Sequence, residues 1–160
     1  MRRKSNAKVA ELRRQVYEAA MACLDKKAKD LAVLELDKSI SGFTDYFVIC
    51  TGTNPRQIQA IFDGVEERLE RLGVRAMYSE GYRQGQWAIL DYFDFVVHIF
   101  SEEARTFRGL ERLWKACKRL ELEDLKPASV PRKKPKPALK KVTPAKGRAR
   151  KKSTSTPLPG

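Results

Sequence analysis

Residues 80–114 read EGYRQGQWAILDYFDFVVHIFSEEARTFRGLERLW, and this stretch decides the fold. Trp87 to Tyr92 and Phe95 to Phe100 are two short runs rich in β-branched and aromatic residues, the types that pack well on a pleated surface. Only Phe93 and Asp94 separate them. That is hairpin spacing, so the runs are expected to pair antiparallel. Ser101 then offers a helix N-cap, and Glu102 and Glu103 fall in the first turn, where the helix dipole favours carboxylates. Ala104, Phe107, Leu110, Leu113, Trp114 and Cys117 follow at helical spacing. The pattern predicts a hairpin that feeds directly into one amphipathic helix.

Upstream, Ser5 or Asn6 can cap a first helix whose apolar stripe is Val9, Leu12, Val16, Ala19, Ala20 and Cys23. This helix is expected to end near Lys29. Leu31 to Leu36 reads as a strand, Ser41-Gly42 as a turn, and Tyr46 to Cys50 as a strand buried on both faces. Asn54 is a good N-cap and Pro55 suits the first helical position. Ile58, Ile61, Phe62, Val65, Leu69 and Leu72 give that helix its core face, and Gly73 suits the residue after its end. Val74 to Ser79 reads as a third strand. The expected order is α-β-β-α-β-β-β-α, an α/β layered domain with a mixed β-sheet flanked by helices.

The charge is uneven. Residues 126–160 hold 12 of the 33 Lys and Arg, none of the 20 acidic residues, and seven of the eight prolines. Nearly all of the net charge of +13 therefore sits in this segment. The chain divides into a near-neutral domain, residues 1–125, and a basic Pro/Lys/Arg-rich tail, residues 126–160. The tail has too little apolar bulk to offset the entropy of ordering and is expected to be disordered. Cys23, Cys50 and Cys117 form no C-x-x-C and no metal-ligand spacing. An odd number without a framework points to free thiols in a reducing, cytoplasmic setting. No apolar run approaches the roughly 18 residues that a membrane span requires. The N-terminus lacks the apolar stretch of a secretory signal.

Catalysis finds little support. Thr51-Gly52-Thr53-Asn54 precedes a helix start, but it holds one glycine and no lysine, so a capped turn fits better than a phosphate loop. Asp91 and Asp94 lie three apart across a turn, poor spacing for a metal pair. His98 is the sole histidine and the only candidate base, and no nucleophile is spaced to use it. No catalytic residue, cofactor or metal is expected. A binding surface is the better reading. Alternation along the strand places Trp87, Ile89 and Asp91 on one face and Ala88, Leu90 and Tyr92 on the other. Trp87 with Asp91, extended by Glu80 and Asp94, would suit a partner with exposed Arg or Lys, because aromatic residues dominate interface hot spots. The opposing reading makes Trp87 core and the acids solvated turn residues.

The run W-A-I-L-D-Y-F-D-F-V-V-H-I-F, then E-E-A-R-T-F and L-E-R-L-W, together with T-D-Y-F-V-I-C-T-G-T-N at Thr44 to Asn54, resembles the Iojap-type ribosomal silencing factors (RsfS) over about residues 10–120. The family has glycine where this chain has Phe93, and a phenylalanine resists the positive φ that a glycine permits. The resemblance implies a mixed sheet with helices on its faces, similar to a nucleotidyltransferase core without the catalytic motifs. It implies a homodimer and binding to the large ribosomal subunit through ribosomal protein L-fourteen, which sterically blocks subunit joining and represses translation. Carried over, Trp87, Asp91 and Asp94 lie at that contact. Leu90, Glu111 and Trp114 are further candidates, the last two with helix packing as their other reading. His98 and Arg105 match family positions and are expected to organise the fold. The resemblance does not speak to the tail. There Arg132, Lys133, Lys134, Lys136, Lys140, Lys141, Arg148, Arg150, Lys151 and Lys152 attract phosphate backbone without sequence preference, with ribosomal RNA the expected target. The alternatives are a general RNA-binding protein acting through that tail, or a nucleotidyltransferase-like enzyme.

Overall fold

A computed structural model describes residues 6–37, 44–113, 115 and 117–127, and of Glu111 and Leu113 the backbone only. The chain runs α1 (Asn6–Asp25), β1 (Lys29–Glu35), β2 (Tyr46–Gly52), α2 (Pro55–Arg71), β3 (Tyr78–Glu80), β4 (Trp87–Asp91), β5 (Phe95–Ser101), α3 (Glu102–Arg108), α4 (Leu110–Leu113), β6 (Lys118–Leu120) and α5 (Leu122–Leu125). Six strands form one sheet in the order β3-β4-β5-β2-β1-β6. Only the central β2–β5 pair is parallel; the other four pairs are antiparallel. The mixed α/β fold is the one the sequence predicts.

The sheet has two unlike faces. One is covered by α1 and α2, whose Leu12, Val16, Ala19, Ile58, Ile61, Val65 and Leu69 pack with Val48, Ala88, Leu90, Val97 and Ile99. Each large apolar side chain buried in that layer contributes about 1.5–3 kcal/mol. The other face carries Leu34, Phe47, Ile49, Val96 and Phe100, and against it pack Trp87, Ile89, Ala104, Leu110 and Cys117. β2 lies between the two layers and all seven of its residues are buried, as its unbroken apolar run requires.

Helix α2 starts and stops on its sequence signals. Asn54 accepts a hydrogen bond from the Gln57 N–H, Pro55 occupies the first turn, and Gly73 takes the left-handed conformation at φ 80°. Helix α1 stops earlier than the predicted Lys29. Lys27 adopts φ 64°, and the N–H groups of Lys27 and Ala28 donate to the carbonyls of Leu24 and Cys23. That is the same C-terminal wrap that Gly73 gives α2, made here by a lysine, and β1 begins at Lys29 in consequence. The third strand is reduced to Tyr78–Glu80.

The largest departure follows the hairpin. One amphipathic helix to Cys117 was the expectation; Gly109 ends α3 instead, in the left-handed conformation at φ 57°, with its N–H donating to the Arg105 carbonyl. Glycine favours a helix end over an interior position by roughly 1 kcal/mol, and the apolar periodicity simply runs through the break. Phe107, read as core, is 80% exposed. After α4 the chain pairs β6 along the open edge of β1, with Val33 opposite Leu120. No strong β pattern marks K-R-L in the sequence; the strand forms because β1 offers unpaired backbone groups there.

Candidate partner-binding face

Trp87 is the centre of the candidate site. Strand alternation places Trp87 and Ile89 half-buried on one face while Ala88 and Leu90 are fully buried on the other. The cross-strand register sets Trp87 opposite Phe100, Ile89 opposite His98 and Asp91 opposite Val96. The indole stacks on Phe100 with ring centroids 5.2 Å apart and donates its Nε1–H to His98 Nδ1 at 3.1 Å. The guanidinium of Arg108 lies 4.8 Å above the indole and 5.6 Å from the Phe107 ring, close enough for cation–π attraction. Gln86, Trp87, Ser101, Glu103, Ala104, Phe107 and Arg108 line an open cleft of about 380 Å³.

His98 is the support behind the tryptophan. It is buried against Phe47, with centroids 4.6 Å apart, and burial lowers its pKa from the ordinary 6.5 to about 3. Accepting the indole proton at Nδ1 leaves the imidazole hydrogen on Nε2, which has no hydrogen-bond partner among the described residues. An imidazole held neutral in this way is a poor proton shuttle near neutral pH. Arg105 is tied inward as well, donating to the Asp30 carbonyl at 2.6 Å and to Thr51 Oγ1 at 2.9 Å.

The acidic candidates lie further along the same sheet. Asp91 shares the Trp87 face but stands four residues away, about 14 Å along the strand. Its Oδ1 accepts the Phe93 N–H at 2.8 Å. Glu80 lies on β3 opposite Ile89, accepting the Tyr78 hydroxyl proton. Asp94 is half-exposed at the turn, where its carbonyl accepts from the Asp45 N–H at 2.7 Å and so ties the hairpin to β2. Leu90 requires a correction. It is completely buried under α1 and α2, so it supports the face from behind and does not reach a partner. The Glu111 side chain, Trp114 and the ten tail cations lie outside the described residues. Phe107 and Arg108 are what sequence reasoning missed. The signal for them was Gly109, which ends the helix and leaves Phe107 outside the core.

The T-G-T-N turn is occupied by its own chain. The Thr53 N–H and hydroxyl both donate to Gln57 Oε1, and Asn54 caps α2. Gly52 is needed for close packing, since a Cβ there would lie 2.6 Å from Ile58 Cγ1. Among the described residues no group of three His, Cys, Asp or Glu is placed to hold a metal ion. Among them no helix is long and apolar enough to cross a membrane.

Residues 9–147 match the family model described as ribosomal silencing factor during starvation. The ribosomal silencing factor RsfS of Bacillus subtilis is 38% identical over 96 residues, covering 60% of this chain and 80% of that protein. A crystal structure of a Chromobacterium violaceum protein superposes with a TM-score of 0.61 at 31% identity, covering 63% of this chain and 83% of that one. The mouse mitochondrial assembly of ribosomal large subunit protein 1 is 29% identical over 92 residues, which are 56% of this chain and 40% of that protein. In sequence and in fold, the chain belongs to the RsfS family of ribosomal silencing factors.

Proposed function

We propose that this protein binds the large ribosomal subunit through the Trp87 face, on ribosomal protein L-fourteen, and represses translation by sterically blocking the joining of the small subunit. The observation that carries this reading is half-buried Trp87 with exposed Phe107 and Arg108 beside it. An indole held in one orientation by His98 and Phe100 loses little entropy on docking, and the phenylalanine beside it is 80% exposed, with the Arg108 guanidinium over its ring. Asp91, Asp94 and Glu80 form the acidic side of the same surface and suit a cationic partner. Repression by occupancy requires no turnover, cofactor or metal. The setting is the cytoplasm. A homodimer enters on family resemblance alone, and so does L-fourteen as the particular partner. The mouse relative's name places that protein in large-subunit assembly, which favours the large subunit here.

The tail favours a second contribution. Its 12 cations give attraction to ribosomal RNA and raise the effective concentration of the domain at its site. General RNA binding through the tail alone is the competing function.

The test is pull-down of purified L-fourteen by the intact protein and by Trp87→Ala, with the fold checked by circular dichroism. Removing a central aromatic anchor costs about 2 kcal/mol or more, so the expected result is about a thirtyfold loss of affinity. Unchanged affinity in a folded variant would show that the contact lies elsewhere.

A further inference from the structure

The segment after the hairpin carries a charge pattern of which the Trp87 contact uses only Arg108. Residues 104–119 hold six cations, Arg105, Arg108, Arg112, Lys115, Lys118 and Arg119, against the single acid Glu111. The chain here leaves the end of β5 and returns as β6, crossing the sheet over β2 and β1. Three interstrand spacings make that crossing about 14 Å wide. A nucleic-acid strand carries a phosphate about every 3.4 Å of duplex axis, so the crossing can face about four of them.

The cations on this track are available. Arg108, Arg112, Lys115 and Arg119 are exposed. Among the described residues Arg112 donates to the Thr106 carbonyl and Arg119 to the Leu31 carbonyl, and Arg108 lies over two rings. None of the four has a carboxylate partner among the described residues. Elsewhere in the domain several cations are ion-paired: Arg13 with Glu35, Lys29 with Glu102, Arg68 with Glu18 and Asp25, and Arg75 with Glu70. Register places Arg119 opposite Leu34, on the sheet face that carries Trp87, while Lys118 sits opposite Glu35 on the far face.

We propose that Arg112, Lys115 and Arg119, continuing from Arg108, form a phosphate-binding track on the folded domain, with the backbone of an RNA duplex as its ligand. The track is separate from the tail in sequence, and its contact with RNA does not depend on the Trp87–protein contact. A protein that docks beside ribosomal RNA through Trp87 would present this strip on the same side of the sheet.

The experiment uses the full chain and a 20-base-pair RNA duplex, with binding followed by fluorescence anisotropy over a salt titration. The triple variant Arg112→Glu/Lys115→Glu/Arg119→Glu is compared with a charge-matched control, Arg56→Glu/Arg71→Glu/Arg83→Glu, on α2 and the β3–β4 connection. Each phosphate contact contributes about 0.9 to the slope of log affinity against log salt. The expected result is that the track variant loses about two to three in slope and at least about tenfold in affinity, while the control loses much less. The neutral variant Arg112→Gln/Lys115→Gln/Arg119→Gln, if the reversal fails to fold, is expected to lose about half as much. Equal losses in track variant and control would overturn the proposal by reducing the effect to net charge. Binding to phosphatidylserine vesicles without binding to RNA would overturn it in favour of a membrane surface. Since no ribosomal protein is present, failure here leaves the Trp87 reading standing, and failure there leaves this one.

Discussion

Trp87 and His98 hold each other in place. The indole N–H requires an acceptor, and His98 Nδ1 can accept only while the imidazole is neutral. Burial keeps it so, with a pKa near 3 against an ordinary 6.5. The unfolded chain therefore binds a proton between these values that the folded chain does not. Stability from this group is complete above about pH 6.5 and is lost as pH falls towards 3, at up to about 1.4 kcal/mol per unit. Urea denaturation at pH 7 and pH 5 is expected to show about 2 kcal/mol more loss for the native sequence than for His98→Leu, which lacks the titration. Parallel loss in both would contradict this role. Strand alternation made the separation of Trp87 from Ala88 and Leu90 onto opposite faces legible in the sequence, but not which face is core. The pairing of Trp87 with His98 was not legible. It depends on the register of the hairpin, which sets Ile89 opposite His98 and brings the indole within reach along the same face.

At the scale of elements, the hairpin turn is the informative case. The resembled family has glycine here and a phenylalanine resists positive φ, yet Phe93 adopts the glycine-like conformation, at φ 74°. The Asp94 N–H donates to the Tyr92 carbonyl at 2.9 Å, two residues back. With a positive φ between them this is the rarer, more strained form of γ-turn. Asp91 and the Tyr92–Phe95 backbone bond hold it closed. An L-residue in this region costs roughly 1–2 kcal/mol, and Phe93, 52% exposed, recovers little of that by burial. Phe93→Gly is therefore expected to raise stability by about 1 kcal/mol, read as a higher urea midpoint at unchanged slope. A lower midpoint would show that the phenyl ring packs on something of value. The hairpin itself was legible from two apolar runs and a two-residue gap. The broken helix and β6 were not. Apolar spacing through Gly109 mimics a continuous helix, and K-R-L becomes a strand only because β1 leaves an edge to pair with.

Across the described domain, charged and aromatic residues occupy different parts of one sheet face. The α1 and α2 face is closed core. The opposite face carries Trp87, Phe107 and Arg108 at one end of β4, Asp91 and Glu80 towards the other, and the cationic crossing towards β6. Composition alone divides the sequence into a near-neutral part and a basic tail. How partner contacts divide between domain and tail was not legible there, because charge attracts RNA from either place whereas an aromatic anchor acts only where the fold exposes it. The most direct measurement is co-sedimentation with purified large ribosomal subunits, comparing the intact chain, Trp87→Ala, and a chain ending at Leu125. The expected result is that the intact chain binds, that folded Trp87→Ala fails, and that the shortened chain still binds with a shallower salt dependence. Loss of all binding on shortening, with none lost in Trp87→Ala, would contradict the Trp87 face as the site and make the tail the binder.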